Sequence, residues 1–354
     1  MAITAGMVKE LRELSGAGMM DCKKALVETD GNVEKAMDVL REKGLGKAAK
    51  KSDRLASEGL VSVVVNDDFT KATITEINSE TDFVAQNDGF INFTKSVTNH
   101  IQATGVNDQD GLLKTEVDGV GFEEYFGIEV SKIGENVVVR RFATIEAGEN
   151  GVVNGYEHSN GRVGVILGAA CDSAATAKGA RDLLKNLAMH ASAMKPTVLS
   201  YKDLDPDFIE KENIAIKADI EKGNEELRRL GKHEKKIPQF VSMLQLTDEV
   251  MANAKAKIES DLKEQGKPEK IWDRIVPGQM ERFVADNTQL DQQLALLSQF
   301  FVMDDKKSVE QVIQDKAKEL GGTIKLVEYI RYDLGEGLEK KEDDFAAEVA
   351  AQLK

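Results

Sequence analysis

The sequence predicts an α+β protein that combines antiparallel sheets with separate helical segments. In the middle of the chain, β-branched runs separated by turn residues twice form a strand–turn–strand–loop–helix unit. Near the start, apolar residues recur at helical spacing, and residues 207–287 are charge-rich with a heptad of apolar positions. We therefore expect an N-terminal three-helix module, two related lobes with antiparallel sheets, a projecting antiparallel helical hairpin and a C-terminal helix.

Composition indicates a soluble cytoplasmic protein. The 354 residues are enough for two or three domains with cores of their own. Two cysteines, Cys22 and Cys171, are too few for a disulfide framework or a zinc cluster. The sequence has no apolar run of the roughly 18–20 residues that a membrane span needs, and it opens on a helical pattern rather than a signal peptide. We expect no membrane partner.

The charge argues against direct nucleic-acid binding. The formal net charge is −15, whereas phosphate binding needs clustered Lys and Arg. The one basic cluster, residues 47–54, is short and is more typical of a solvated linker than of a phosphate-binding track.

Residues 1–54 are expected to form the helical module and its linker. Met7 and Leu11 stand one turn apart in the first predicted helix. The third predicted helix has an apolar stripe over residues 33–40 and should end at Gly44, in the C-cap position.

Between these helices, Met19 and Met20 stand beside a Gly-rich turn where the second helix is expected to begin. The pair fits either the core of the module or a soft, adaptable contact patch.

The first lobe is expected at residues 55–145. A hairpin of strands at 60–65 and 72–77 leads through a loop to a helix at 89–101, and residues 137–144 supply a further strand.

The second lobe is expected at residues 146–206 and 288–335, on the same plan. Its expected strands and helices are at residues 151–156, 162–168, 177–194, 308–320 and 324–332.

Residues 207–287, inserted in the second lobe, are expected to form the helical hairpin, a coiled coil. A second helical run follows at 251–262, and the tail, residues 336–354, ends in an amphipathic helix. The heptad seam of the first helix is Ile209, Asn213, Ile216, Ile220, Gly223, Leu227 and Leu230.

The segment Thr81-Asp82-Phe83-Val84 lies between a predicted strand and a predicted helix. An acid and a large aromatic are thus expected at the tip of a turn. The aromatic ring either covers an edge of its own core or enters a pocket on a partner, where aromatic anchors carry much of the binding energy.

The sequence shows no element of covalent chemistry. It has no P-loop, no dinucleotide glycine fingerprint, no His-Glu-x-x-His and no Cys-x-x-Cys. Cys171, Asp172 and His190 could be drawn as a nucleophile set, but they lack a nucleophile-elbow signature. We expect no catalytic residue, no metal site and no cofactor, and therefore no enzyme.

The chain resembles the bacterial elongation factor Ts family, and the resemblance covers nearly its whole length. The motifs that carry it, in the order of the family, are residues 11–26 (LRELSGAGMMDCKKAL), 81–84 (TDFV), 132–136 (KIGEN), 187–190 (LAMH) with 195–196 (KP), 301–303 (FVM), 329–339 (YIRYDLGEGLE) and 344–351 (DFAAEVAA).

The resemblance implies a guanine-nucleotide exchange factor for the GTPase elongation factor Tu, acting in translation elongation by binding alone. It assigns the loop of Thr81, Asp82, Phe83 and Val84 to displacement of Mg²⁺ in the partner, with Phe83 as the apolar wedge. A homo-oligomer is not indicated. Further partner-binding positions implied by the family are Arg12, Met19, Met20, Lys23, Met189, His190, Val302 and Met303. The alternative role of His190 is that of an imidazole that packs its own helix.

Two features depart from the family pattern. The hairpin is longer than in short family members by about Asn224–Gln265, and we expect that stretch to be dispensable for exchange. Pro277 stands where the family has a continuous helix, so a kink or a new helix start is expected there.

Two other classes of protein compete with this interpretation. The N-terminal module resembles ubiquitin-associated domains, which would suggest an adaptor, but adaptors lack the central and C-terminal motifs. An enzyme with an unrecognised acid–base site would show turnover of a small molecule that survives Phe83→Ala.

Overall fold

The computed structural model describes residues 3–49, 51 and 53–338, in two compact units. Unit 1 holds the described residues up to Ala170 and from Ile330 onward, and unit 2 is Cys171–Tyr329. Helices and antiparallel strand pairs occur together, so the predicted α+β class is confirmed. The predicted C-terminal helix lies outside the described residues. Within them, no helix is long and apolar enough to cross a membrane.

Unit 1 begins with three helices: α1 (Ala5–Ser15), α2 (Met19–Glu28) and α3 (Val33–Ala49). They enclose a small core made of Val8, Leu11, Cys22, Ala25, Leu26 and Ala36. The Thr4 side chain accepts a hydrogen bond from the Met7 N–H and caps α1, which ends at Gly16 in the left-handed region (φ 66°).

The rest of unit 1 alternates strands and helices. In chain order its further elements are β1 (Glu58–Val65), β2 (Lys71–Ser79), α4 (Asp82–Ala85), α5 (Asp88–Thr104), α6 (Gln109–Leu113), β3 (Glu116–Val117), β4 (Val120–Gly121), α7 (Phe122–Ile133), β5 (Val137–Glu146), β6 (Gly151–His158) and β7 (Val163–Cys171, whose last residue belongs to unit 2). The hairpins β1–β2 and β6–β7 confirm the predicted ones, whereas α6, α7 and the small β3–β4 pair were not predicted.

The β1–β2–β5 sheet is covered on both faces. On one face, α5 and α7 bring Phe90, Phe93 and Val130 into a core. On the other face, Ile74 of β2 packs with Val153 and Ile166 of the second sheet. Every residue of β2 except the first is therefore buried. The alternating pattern of the strand gave no sign that a second sheet would cover its other face.

The second sheet approaches closely because glycines face the first. A Cβ built on Gly164 would lie 2.5 Å from Val61 Cγ1, and one on Gly155 would lie 2.6 Å from Val63 Cγ1. Both distances are far below van der Waals contact, so the two sheets could not pack this closely with any larger residue.

The prediction that α3 ends at Gly44 was wrong, because the helix continues to Ala49. Gly44 is buried, and a Cβ placed on it would lie 3.4 Å from Ser131 Cβ on α7. A side chain at this position would make ordinary van der Waals contact with α7, and the glycine does not terminate the helix.

Unit 2 is mainly helical. In chain order its elements are α8 (Ala174–Gly179), α9 (Arg181–Met194), α10 (Pro206–Arg229), α11 (Asp248–Glu264), α12 (Trp272–Asp286), α13 (Gln289–Leu294), β8 (Phe300–Phe301), β9 (Asp304–Ser308), α14 (Val309–Leu320) and β10 (Ile324–Asp333, which passes into unit 1). In place of one predicted helix at 177–194 there are two, α8 and α9, separated at Ala180.

The helical hairpin differs from the predicted one. α11 and α12 pack on each other, joined by residues 265–271. Near its end, α10 instead forms hydrogen bonds with the non-helical segment that follows it. The Asn224 amide donates to the Lys235 carbonyl (2.8 Å) and accepts from the Lys235 N–H (2.7 Å). The predicted seam is thus wrong at Gly223 and Leu230, which are exposed, while Asn224 beside Gly223 is buried.

Pro277 lies inside α12, which starts five residues earlier at Trp272. The expected alternative of a new helix starting at this proline is therefore wrong.

Part of the lengthened segment belongs to the core of unit 2. Val241 is fully buried and packs with Leu204, Ile209 and Leu290. Its neighbour Met243 donates its backbone N–H to the Asp291 carboxylate (2.6 Å). Removal of all of Asn224–Gln265 would therefore open this core, so the expected dispensability does not extend to the buried part.

We predict that Val241→Ala lowers the free energy of unfolding by about 2 kcal/mol, because it leaves a cavity in a packed core. The matched control is Ile237→Ala in the same extended segment, where the side chain is exposed and the loss should stay below about 1 kcal/mol. Urea-induced unfolding of the full chain measures both. Equal losses would show that the segment does not contribute to the core.

Candidate functional site

The segment Thr81–Val84 forms a capped helical turn rather than the expected loop. Thr81 is the N-cap of α4, and its hydroxyl accepts a hydrogen bond from the Val84 N–H (3.4 Å). The turn closes as the Gln86 N–H donates to the Asp82 carbonyl (3.2 Å). Asn87 then caps α5 by accepting from the Gly89 N–H (2.8 Å). Two successive caps therefore fix the backbone on both sides of Phe83.

Phe83 points away from the core. Its neighbours Val84 and Ala85 pack against the core under α5, whereas Phe83 is 81 % exposed. It is the most exposed of the large apolar side chains among the described residues. The alternative that its ring covers an edge of its own core is therefore wrong. Asp82, also exposed, is the acid in the first turn of α4, where a negative charge is favourable.

A second apolar surface lies at the start of α2 in unit 1. Met19 and Met20 are exposed, as is Leu14 near the end of α1. The alternative that the paired methionines fill the core is therefore wrong. Arg12 and Lys23 are also exposed, and Lys23 follows Met19 by one helical turn on the same face of α2. The surface thus combines soft apolar side chains with positive charge.

In unit 2, His190 is completely buried. Its Nδ1 accepts a hydrogen bond from the Val302 N–H (3.1 Å), and its Nε2 lies 3.0 Å from Gln299 Oε1. Because Nδ1 is an acceptor, the proton belongs on Nε2, which donates to Gln299. Burial lowers the pKa of His190 below its ordinary value, so the ring is neutral at pH 7. This geometry favours the packing alternative for His190 over direct contact with a partner.

Several apolar residues close to His190 in sequence or through its Val302 contact are fully or partly accessible to solvent. Val302 and Met303 form the turn between β8 and β9, and each is about half exposed. Met189 is half-buried in α9. Met194, one turn after His190 on α9, is exposed, and its carbonyl accepts from the Gln299 side chain (3.3 Å). The sequence interpretation did not select Met194, although its spacing from His190 could have indicated it.

The set Cys171, Asp172 and His190 does not suit nucleophilic chemistry. Burial, followed by the charge of Asp172, raises the pKa of the Cys171 thiol and so disfavours the thiolate. Both ring nitrogens of His190 are engaged by Gln299 and Val302.

Comparison with known proteins identifies the family. The family described as Elongation factor TS matches residues 80–237 and 235–336. The chain is 64% identical over 353 residues to Elongation factor Ts of Campylobacter curvus (strain 525.92), covering 100% of both chains. It is 55% identical over 351 residues to that of Wolinella succinogenes, covering 99% of both.

The chain belongs to the elongation factor Ts family. Family membership implies a nucleotide-exchange factor for elongation factor Tu in translation elongation, which works without catalysing covalent chemistry. The family match includes α4 with Phe83 and the turn at Val302, and the full-length relatives also cover the N-terminal module.

Acid should weaken unit 2 through His190. Because its folded pKa lies below that of the unfolded chain, the unfolded state binds more protons as the pH falls below about 6.5, and stability falls with it. We predict a loss of up to about 1 kcal/mol between pH 7 and pH 5.5. His190→Asn keeps an acceptor near Nδ1 but does not titrate, so its unfolding free energy should show a shallower pH dependence. Urea-induced unfolding measures both, and parallel pH profiles would contradict the prediction.

Proposed function

We propose that this protein binds the GDP-bound form of elongation factor Tu and speeds GDP release by inserting Phe83 beside the nucleotide pocket. The insertion would disturb the Mg²⁺ and phosphate site, so that GTP can load. The observation that carries the proposal is the 81 % exposure of a phenylalanine on a backbone fixed by two caps. Exposing such a ring to water is unfavourable, and burial in a partner would remove that cost.

The mechanism requires no covalent step. A factor speeds nucleotide loss if it binds the nucleotide-free partner more tightly than the loaded one, and this coupling is reciprocal. Mg²⁺ requires near-ideal octahedral coordination and bridges the nucleotide phosphates in such GTPases. A rigid apolar wedge that shifts nearby elements by about 1 Å would distort that coordination and so weaken GDP binding. Asp82, exposed in the first turn of α4, would contact backbone of the partner or orient the turn.

The other exposed surfaces would supply binding rather than displacement. Met19 and Met20, with Arg12 and Lys23, would form an adaptable contact from the N-terminal module. In unit 2, Val302, Met303 and Met189 would form a second contact, to which we add Met194. His190 would act through Val302, whose N–H it binds, rather than by touching the partner.

We further propose the domain roles that the sequence suggested. Residues 1–54 would serve as a contact module and linker, and 55–145 as the lobe that carries the wedge. Residues 146–206 with 288–335 would form the second lobe. The helical segment, 207–287, would lie outside the exchange site, and 336–354 would form a helical tail. As a translation factor, the protein would act in the cytoplasm.

Phe83→Ala should slow factor-stimulated GDP release by at least about thirtyfold, because a central aromatic contact is worth roughly 2 kcal/mol or more. The folded state should be unaffected, since the ring makes no contribution to the core. Release of a fluorescent GDP analogue from elongation factor Tu measures the rate, and thermal unfolding tests the fold.

The matched control for this variant is Leu113→Ala, which removes a half-exposed apolar side chain elsewhere in unit 1. It should leave release unchanged. Phe83→Leu keeps apolar bulk and should retain part of the activity. Normal stimulation by Phe83→Ala would overturn the assignment.

Excess Mg²⁺ should oppose the exchange activity. If the factor and the metal act against each other through one coupled equilibrium, raising Mg²⁺ must weaken binding of the factor to the GDP complex. The stimulated release rate, measured against Mg²⁺ concentration at fixed ionic strength, should fall. A rate that is indifferent to Mg²⁺ over a wide range would point to pressure on the base or the phosphate loop instead.

A further inference from the structure

The segment Lys132–Asn136 was prominent in the sequence but has no role in the function proposed above. It follows α7, which ends at Gly134 in the left-handed region (φ 87°), and it leads directly into β5. Glycine adopts this backbone conformation without strain, and the reversal that it makes brings Glu135 to the base of α4.

Glu135 holds Thr81 through both of its carboxylate oxygens. The Thr81 N–H donates to Oε2 (3.0 Å), and the Thr81 hydroxyl donates to Oε1 (2.7 Å). The same hydroxyl accepts from the Val84 N–H and so caps the turn that carries Phe83. Hydrogen bonds to an ionised group are about twice as strong as neutral ones, so this contact fixes the rotamer on which the cap depends.

A reciprocal contact completes the arrangement. The Asn136 N–H donates to the Glu80 carboxylate (2.6 Å). Backbone pairing between β2 and β5 ends at Ser79 and Val137. Beyond that pair, the segment after β2 and the segment before β5 each offer a carboxylate to a backbone N–H of the other, so side-chain hydrogen bonds extend the contact as far as Thr81.

The linker that follows the N-terminal module joins the same cluster. The Asn136 side chain donates to the Arg54 carbonyl (2.7 Å), and the Arg54 guanidinium lies 3.5 Å from the Glu80 carboxylate. The Lys51 ammonium donates to the Gly134 carbonyl. Residues from three separate parts of unit 1 therefore meet at the base of α4.

We propose that Glu135 is a positioning residue for the Phe83 wedge, and that Glu80 and Asn136 complete this clamp. The inference rests on the proposed role of Phe83 in exchange. Glu135 does not touch the partner in this proposal. It sets the direction in which α4 presents the aromatic ring, so its loss reduces the rate at which the partner, once bound by the factor, releases GDP.

The test compares Glu135→Ala, Glu135→Gln and the control Glu123→Ala, which removes an exposed carboxylate from the first turn of α7, the helix that precedes Glu135. Glu135→Ala should lower the maximal rate of stimulated GDP release about tenfold, at saturating factor. Glu135→Gln keeps one acceptor oxygen and should lie between Ala and the unchanged protein. The control should leave the rate as it is.

Combining these variants with Phe83→Ala separates positioning from other roles. If Glu135 acts through Phe83, Glu135→Ala should change the rate less than about twofold once the ring is gone. An equal tenfold loss in the presence and absence of Phe83 would overturn the proposal.

Amide hydrogen exchange gives a readout that needs no partner. Without the clamp, the N–H groups of Val84 and Gln86 should exchange faster, while those of the β2–β5 ladder should keep their protection. Suppose that Phe83→Ala leaves GDP release unchanged while Glu135→Ala speeds amide hydrogen exchange at Val84 and Gln86. The proposed role of Phe83 would then be wrong, but the structural role of Glu135 would be supported. Unchanged exchange at Val84 and Gln86 in a folded Glu135→Ala protein would overturn the clamp.

Discussion

Burial of β2 on both faces is the constraint on which the candidate site depends. Helices cover one face of this strand and a second sheet covers the other. A strand held in this way cannot shift its register by one residue without exchanging its two packed faces. Its end at Ser79 is therefore a fixed point, and Phe83 lies only four residues beyond it.

The same strand contains a buried charge, which reinforces that register. Glu76 is completely buried, and its carboxylate accepts from Arg140 (2.9 Å) and Arg141 (2.6 Å) on the neighbouring strand. It also accepts from the Gly335 N–H (2.8 Å), which brings the end of the described chain to the sheet. Breaking one partner of such a cluster is costly because the other charge remains buried, so the cluster disfavours alternative pairings.

Three exposed apolar surfaces stand out on an acidic protein: Phe83, the methionines of α2, and the turn at Val302. In each, the backbone behind the exposed side chain is fixed by a helix or by hydrogen bonds from buried groups. Thr81 and Glu135 hold the first, and His190 with Gln299 holds the last. Pre-ordered side chains lose less conformational entropy on binding, which suits a factor that must displace a ligand already bound tightly by its partner.

The sequence alone determined the α+β class, the two hairpins and the place of an aromatic, Phe83, between a strand and a helix, because these follow from local alternation and turn chemistry. The tertiary structure decided that its ring faces solvent and does not cover its own core. The sequence also determined the family, since motifs in one order extend along the chain. It could not show α7 or the second layer on β2. Nor could it show that Gly44 lies inside a helix or that Asn224 is buried, because tertiary packing decides both. The tertiary structure also decided that His190 is buried, and that Glu135, 54 residues after Thr81, holds the Thr81 side chain that caps the turn presenting Phe83. Contacts of that kind join residues far apart in sequence, and their physical basis is the shape of the folded chain rather than any local pattern.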